Sequence, residues 1–144
     1  MIEQDTIKLL RECDAGIKMG ISSIEDVLDD VKNEKFKELL ENCRNQHTDL
    51  ADEMEKLLNE YNDDGKEPTI IAKTMSKVKT NVMISYDNSD GVIADLITDG
   101  CNNGVKALHR YLNKYKAASE KAKDIAKRLI NFEEKLVINI REFL

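Results

Sequence analysis

The chain has 144 residues, 41% hydrophobic and 35% charged, and its 22 basic and 28 acidic side chains give a formal charge of −6. A length of this order makes one domain, residues 1–144, that can bury roughly 68–70% of its unfolded surface without disulfide or metal staples. No apolar run approaches the roughly 18 residues of a membrane span, and the acidic start Met1-Ile2-Glu3-Gln4-Asp5 is unlike a basic signal peptide, so the expectation is a cytoplasmic chain with no membrane partner. Cys13, Cys43 and Cys101 cannot all pair within one chain, and their scatter is not that of a secreted disulfide framework. Reduced, buried thiols are expected. A single proline, no tryptophan and abundant Leu, Ile, Lys, Glu and Asp point to an all-α fold.

Steps of three and four from residue 5 to residue 31 meet Ile7, Leu10, Asp14, Ile17, Ile21, Ile24, Leu28 and Val31, one seam with one polar member. Asp5 and Thr6 are placed to cap this first helix, and Asn33 to cap the second. The second seam is Phe36, Leu40, Cys43, His47, Leu50, Met54, Leu57 and Tyr61. The turn between the two is so short that they must form an antiparallel hairpin with arms about 40 Å long. Asn62-Asp63-Asp64-Gly65-Lys66-Glu67-Pro68 then stops the helix, with Pro68 in place to start another. A shorter periodic stretch, Ile71, Met75, Val78 and Val82, is broken in turn by Asp87-Asn88-Ser89-Asp90-Gly91. The third long helix starts near Asp90 and carries Ile93, Ile97, Gly100, Gly104, Leu108, Tyr111 and Tyr115. The fourth starts near Ser119 with Ala122, Ile125, Leu129, Phe132, Leu136, Ile140 and Phe143 on its seam.

A bundle that simply runs up and down needs only about 2–8 residues between its second and third helices. Residues 62 to 89 intervene here, enough to travel the full bundle length with a short helix on the way. Residues 49 to 67 hold eight acids against two bases, and residues 106 to 128 hold eight bases against two acids. A lengthwise crossover brings these two segments to the same end; without it they lie at opposite ends.

Two hairpins of long helices joined by such a crossover, together with Asn33-Glu34-Lys35-Phe36-Lys37-Glu38-Leu39-Leu40 leading toward His47, resemble the ferritin-like superfamily of four-helix bundles. The resemblance implies that fold, and a di-iron centre built from two Glu and two Glu-x-x-His motifs. Arg44 stands three residues before His47 and Lys106 three before His109, while Leu136 and Val137 follow Glu133 and Glu134. The chain contains no Glu-x-x-His, so it looks like a branch that lacks the di-iron ligands. The expectation is a binding or structural protein without enzymatic activity and with no cofactor. The alternative is a metal-dependent redox protein with a single zinc or iron ion around His47, drawing on Asp14, Cys43 and Glu133. Thiolate and imidazole at i, i+4 suit zinc, and counting from the turn near residue 32 puts Asp14 within a turn of His47. The bland alternative is a buried Asp–His pair that fixes helix register.

Gly16 and Gly20 on the first helix, and Gly100 and Gly104 on the third, each make a Gly-x-x-x-Gly spacing, at about 1 kcal/mol per glycine against alanine. Close packing of these helices is the favoured reading, or of a partner subunit on the Cys13, Gly16, Gly20, Ser23 strip, and a homodimer is expected on that ground and on the resemblance. A small ligand in the bare space is the other. Asp87 to Gly91 reads as a capping turn rather than a calcium loop, because Tyr86 and Ile97 fill its first and twelfth positions. The basic stretch Lys106, Arg110, Lys114, Lys116, Lys121, Lys123, Lys127 and Arg128 reads as a solvated face rather than a nucleic-acid surface, given the net negative charge. Tyr111 and Tyr115 are read as core aromatics near a bundle end.

Overall fold

The computed structural model describes residues 2–68, 80, 81, 83, 84, 87 and 89–144. Four long helices dominate: α1 (Ile2–Leu28), α2 (Glu34–Glu60), α3 (Asp90–Lys114) and α4 (Glu120–Asn139), followed by a 3₁₀ turn at Arg141–Phe143. The short helix expected over Ile71, Met75, Val78 and Val82 lies outside the described residues. Among the described residues no helix is long and apolar enough to cross a membrane.

Local chemistry sets the helix starts. Asn33 Oδ1 accepts the Phe36 N–H at 3.1 Å, Ser89 Oγ that of Val92 at 3.4 Å and Ser119 Oγ that of Ala122 at 3.2 Å. Each satisfies a donor that the first turn leaves without a partner. Asp5 and Thr6 behave differently from the capping role read for them. Helix α1 already begins at Ile2, and their side chains accept the N–H groups of Ala117 at 3.0 Å and Ser119 at 2.8 Å. They tie the α3–α4 turn to the start of α1. At the opposite end Asp90 accepts the N–H groups of Lys32 and Asn33, both at 2.9 Å, and ties the α1–α2 turn to the start of α3.

These anchors fix the direction of every helix. Helices α1 and α4 run one way, and α2 and α3 both run the other. The chain therefore leaves α2 at one end of the bundle and enters α3 at the other. Its first residues climb α1: Asp63 meets Arg11, the Lys66 N–H meets Asp14 at 2.9 Å, and Glu67 meets Lys18 at 2.6 Å. The acidic and basic segments do meet at one end, where Arg128 pairs with Glu53 at 2.7 Å.

The interior falls into two apolar layers. One gathers Leu9, Leu10, Cys13, Ile17, Leu50, Met54, Leu108, Ala122 and Leu129. The other gathers Ile24, Val27, Phe36, Leu40, Cys43, Ile93, Ile97, Leu136 and Ile140, and is closed by Phe143 stacked on Phe36 at 4.8 Å. Each fully buried large side chain contributes about 1.5–3 kcal/mol relative to exposure. Between the layers lies a waist that neither cluster includes. At its level stand Gly20 on α1, His47 on α2, Gly104 on α3 and Glu133 on α4, one residue from each helix.

Candidate functional site

The waist opens into a cavity of about 500 Å³. Its described walls are mainly apolar, with Ile24, Val27, Ile97, Leu108, Leu129 and Leu136 among them, and both His47 and Glu133 line it. The glycines account for the space. A Cβ on Gly20 would lie 2.9 Å from the His47 ring, and one on Gly104 would lie 2.7 Å from Glu133 Oε2. A Cβ on Gly16 would make ordinary contact with Leu129 at 3.7 Å, and one on Gly100 meets no described atom within 4 Å. The favoured expectation of close backbone packing is thus corrected. At Gly20 and Gly104 the missing side chains make room for an imidazole and a carboxyl group, and Gly100 is exposed at the edge of the cavity. Of the Cys13, Gly16, Gly20, Ser23 strip, Cys13 is fully buried, and Gly16, Gly20 and Ser23 line the cavity.

His47 is 2% exposed. Its Nδ1 donates to the Cys43 carbonyl oxygen at 2.8 Å, one helical turn back, and Nε2 is buried without a hydrogen-bond partner among the described residues. Burial lowers the imidazole pKa against the smaller upward pull of that carbonyl. The ring is therefore neutral, with a lone pair on Nε2. Glu133 is 8% exposed and its Oε2 is likewise buried and unpartnered. Burial raises its pKa from 4.5 to about 8, so the carboxyl group holds its proton at neutral pH. A polar group in this state costs about 1–3 kcal/mol of desolvation, and two of them at one waist ask for a reason.

Asp14 is not part of the site. Its carboxylate accepts the Lys66 N–H at 2.9 Å and pairs with Lys18 Nζ at 2.9 Å, so it anchors the first residues of the connection along α1. Gly65 permits this approach, because it adopts φ +83° and a Cβ there would fall 2.2 Å from Asp14 Oδ2. The inferred Asp14–His47 pairing is thereby overturned. The His47 ring faces Gly20, six residues further along α1, and the connection takes the Asp14 carboxylate. Cys43, His47 and Glu133 do line one cavity, with Cys101 beside them. The Cys43 sulfur lies 3.6 Å from His47 Nδ1, the nitrogen already engaged with the backbone, rather than near Nε2. Burial pushes the Cys43 and Cys13 thiols up to about 12 and raises Cys101 as well, with the Glu133 charge adding to Cys43 and Cys101. All three are free, buried and protonated. Among the described residues no three His, Cys, Asp or Glu side chains gather closely enough to hold a metal ion.

The remaining candidates are absorbed by the fold. Asp87, Ser89 and Asp90 are spent on turn, cap and anchor contacts. Arg128 and Lys123 from the basic stretch form ion pairs, and Lys114 lies over the Tyr115 ring at 5.4 Å. Tyr111 stacks on Tyr115 at 6.3 Å and is half-buried at the cavity wall. Sequence reading missed Asp99 and Glu12 as wall residues, and it missed that Gly104 faces Glu133. The two Gly-x-x-x-Gly spacings were the signal that could have led there. Compared with protein-family models, with curated proteins and with solved structures, the chain gives no match.

Proposed function

We propose that this chain is a non-enzymatic small-molecule-binding protein built on a ferritin-like bundle, with its ligand seated in the waist cavity. The ferritin-like reading is supported by the helix directions, two hairpins with the chain leaving α2 at one end of the bundle and entering α3 at the other. In the di-iron members of that superfamily inward-facing carboxylates and histidines fill the bundle core. Here two of the four helices present glycine at the waist, leaving volume instead of ligands.

The observation that carries the proposal is the pair of buried, unpartnered atoms, His47 Nε2 and Glu133 Oε2, lining one largely apolar cavity. Apolar walls with a few convergent polar groups are the usual make-up of a small-molecule site. A ligand that meets both atoms recovers desolvation already spent in the empty fold.

The test uses the dye nile red, whose emission rises in apolar surroundings. The expected result is saturable binding of one dye per chain to the wild type and its loss in Gly100→Leu, which adds bulk at the cavity edge where a Cβ meets no described atom within 4 Å. Equal binding by both proteins places the dye elsewhere and overturns the proposal, as does no binding at all.

A further inference from the structure

We propose that the cavity selects an amphipathic organic cation, an amine whose ammonium group donates hydrogen bonds to His47 Nε2 and Glu133 Oε2 while its apolar body lies against Ile24, Val27, Ile97 and Leu136. This rests on the reading of the waist as a ligand site and adds the chemical class. The argument starts from hydrogen-bond polarity. Because His47 Nδ1–H is committed to the Cys43 carbonyl, Nε2 can only accept. A carboxylate or phosphate ligand offers it nothing, since those groups accept as well. An ammonium offers three N–H donors and no acceptor, which matches an imidazole lone pair and a carboxylate.

Charge points the same way. Among the described residues, the titratable groups that share the cavity with Glu133 are Glu12 from α1, Cys43 and His47 from α2, and Asp99, Cys101 and Tyr111 from α3. Glu134, the neighbour on its own helix, is exposed. The Glu12 charge is answered by Lys66 Nζ at 2.6 Å. His47 is neutral. A cation that displaces the Glu133 proton gains a carboxylate partner.

The proton balance follows. In the empty cavity below about pH 8 the Glu133 carboxyl group holds its proton. When an alkylammonium binds, that proton passes to solvent and the carboxylate pairs with the cation, so no covalent bond forms or breaks beyond the O–H. The apparent affinity therefore rises about tenfold per pH unit up to the Glu133 pKa and levels off above it.

Calorimetric titration of the whole chain with decylamine, 1-decanol and sodium decanoate tests this at pH 6 and pH 8, in buffers of different ionisation enthalpy and below the micellar range. The expected result is one decylamine per chain, affinity more than tenfold higher at pH 8 than at pH 6, and close to one proton released at pH 6. Glu133→Gln should abolish the proton release and bring decylamine to within about threefold of 1-decanol, as loss of the charged partner requires. If 1-decanol matches decylamine on the wild type, or decanoate binds best, the cationic class is overturned while the cavity reading stands. If none of the three binds or displaces nile red, the cavity reading itself fails. Should Glu133→Gln not fold, the wild-type proton count decides alone, and zero release at pH 6 overturns the proposal.

Discussion

The two apolar layers and the waist between them are built from the same four helices, yet they obey opposite rules. In the layers, large side chains from all four helices fill the axis, and Leu9, Leu10, Ile17, Phe36, Leu40 and Ile140 have no exposed surface. At the waist the axis holds two glycine faces, a neutral imidazole and a protonated carboxyl group beside about 500 Å³ of space. The layers hold the packed apolar interior, and the waist holds the buried polar groups. That division is what a binding site inside a small helical bundle requires, because the same volume cannot be both well packed and available.

The largest expected difference between the two regions is in pH dependence. Glu133 has a folded pKa raised from 4.5 to about 8, so its contribution to stability is full below the lower value and is lost as pH rises through the upper one. At about 1.4 kcal/mol per unit this is on the order of 4 kcal/mol. Urea denaturation of wild type and Glu133→Gln should show the variant gaining about that much relative to wild type between pH 5 and pH 9. A difference that stays constant over this range would mean the carboxyl group is solvated, and the comparison would lose its basis. His47 acts with the opposite sign. Its lowered pKa means that wild-type stability is present above the imidazole's ordinary value and falls as the solution becomes acidic.

Leu50→Ala, in a layer, should cost about 2–5 kcal/mol at any pH between 5 and 9, since it leaves a void in packed surroundings. The glycines sharpen the contrast within the waist. Gly20→Ala puts a Cβ 2.9 Å from the His47 ring, whose Nδ1 is tied to the backbone, and should destabilise by about 1–2 kcal/mol despite the better helix former. Gly100→Ala, on the open wall, should stabilise by up to about 1 kcal/mol. Thermal unfolding of the two variants reads the sign directly, and a loss of stability in Gly100→Ala would show that the wall is not open.

Much of this architecture was legible before any coordinates. The seams from Ile7 to Val31 and from Phe36 to Tyr61 read correctly as helices, because burial on one side of a helix leaves a 3.6-residue period in the chain itself. Asn33, Ser89 and Ser119 stand at helix starts because a short polar side chain can reach the free N–H groups of its own first turn. The opposed charges of residues 49 to 67 and 106 to 128 agreed with a crossover that brings those segments to one end, and the Arg128–Glu53 pair lies there. His47 was also visible as a polar residue on an apolar seam.

What the periodicity left open was the partner of each inward group. Phe132 and Glu133 are neighbours near the same seam, and the aromatic residue appears the natural one to bury. The packing of α4 leaves Phe132 half-buried and encloses the carboxyl group. Asp14 was counted to within a turn of His47, but the His47 ring meets Gly20 instead, and the backbone of Lys66, 52 residues along the chain, takes the Asp14 carboxylate. Gly20 and Gly104 likewise owe their meaning to His47 and Glu133, which come from other helices. Helix formation, capping and the choice of apolar faces depend on residues within a turn or two of one another, so the chain encodes them locally. The rotation of each helix about its axis, and with it the waist and its cavity, is settled only when all four compete for one interior.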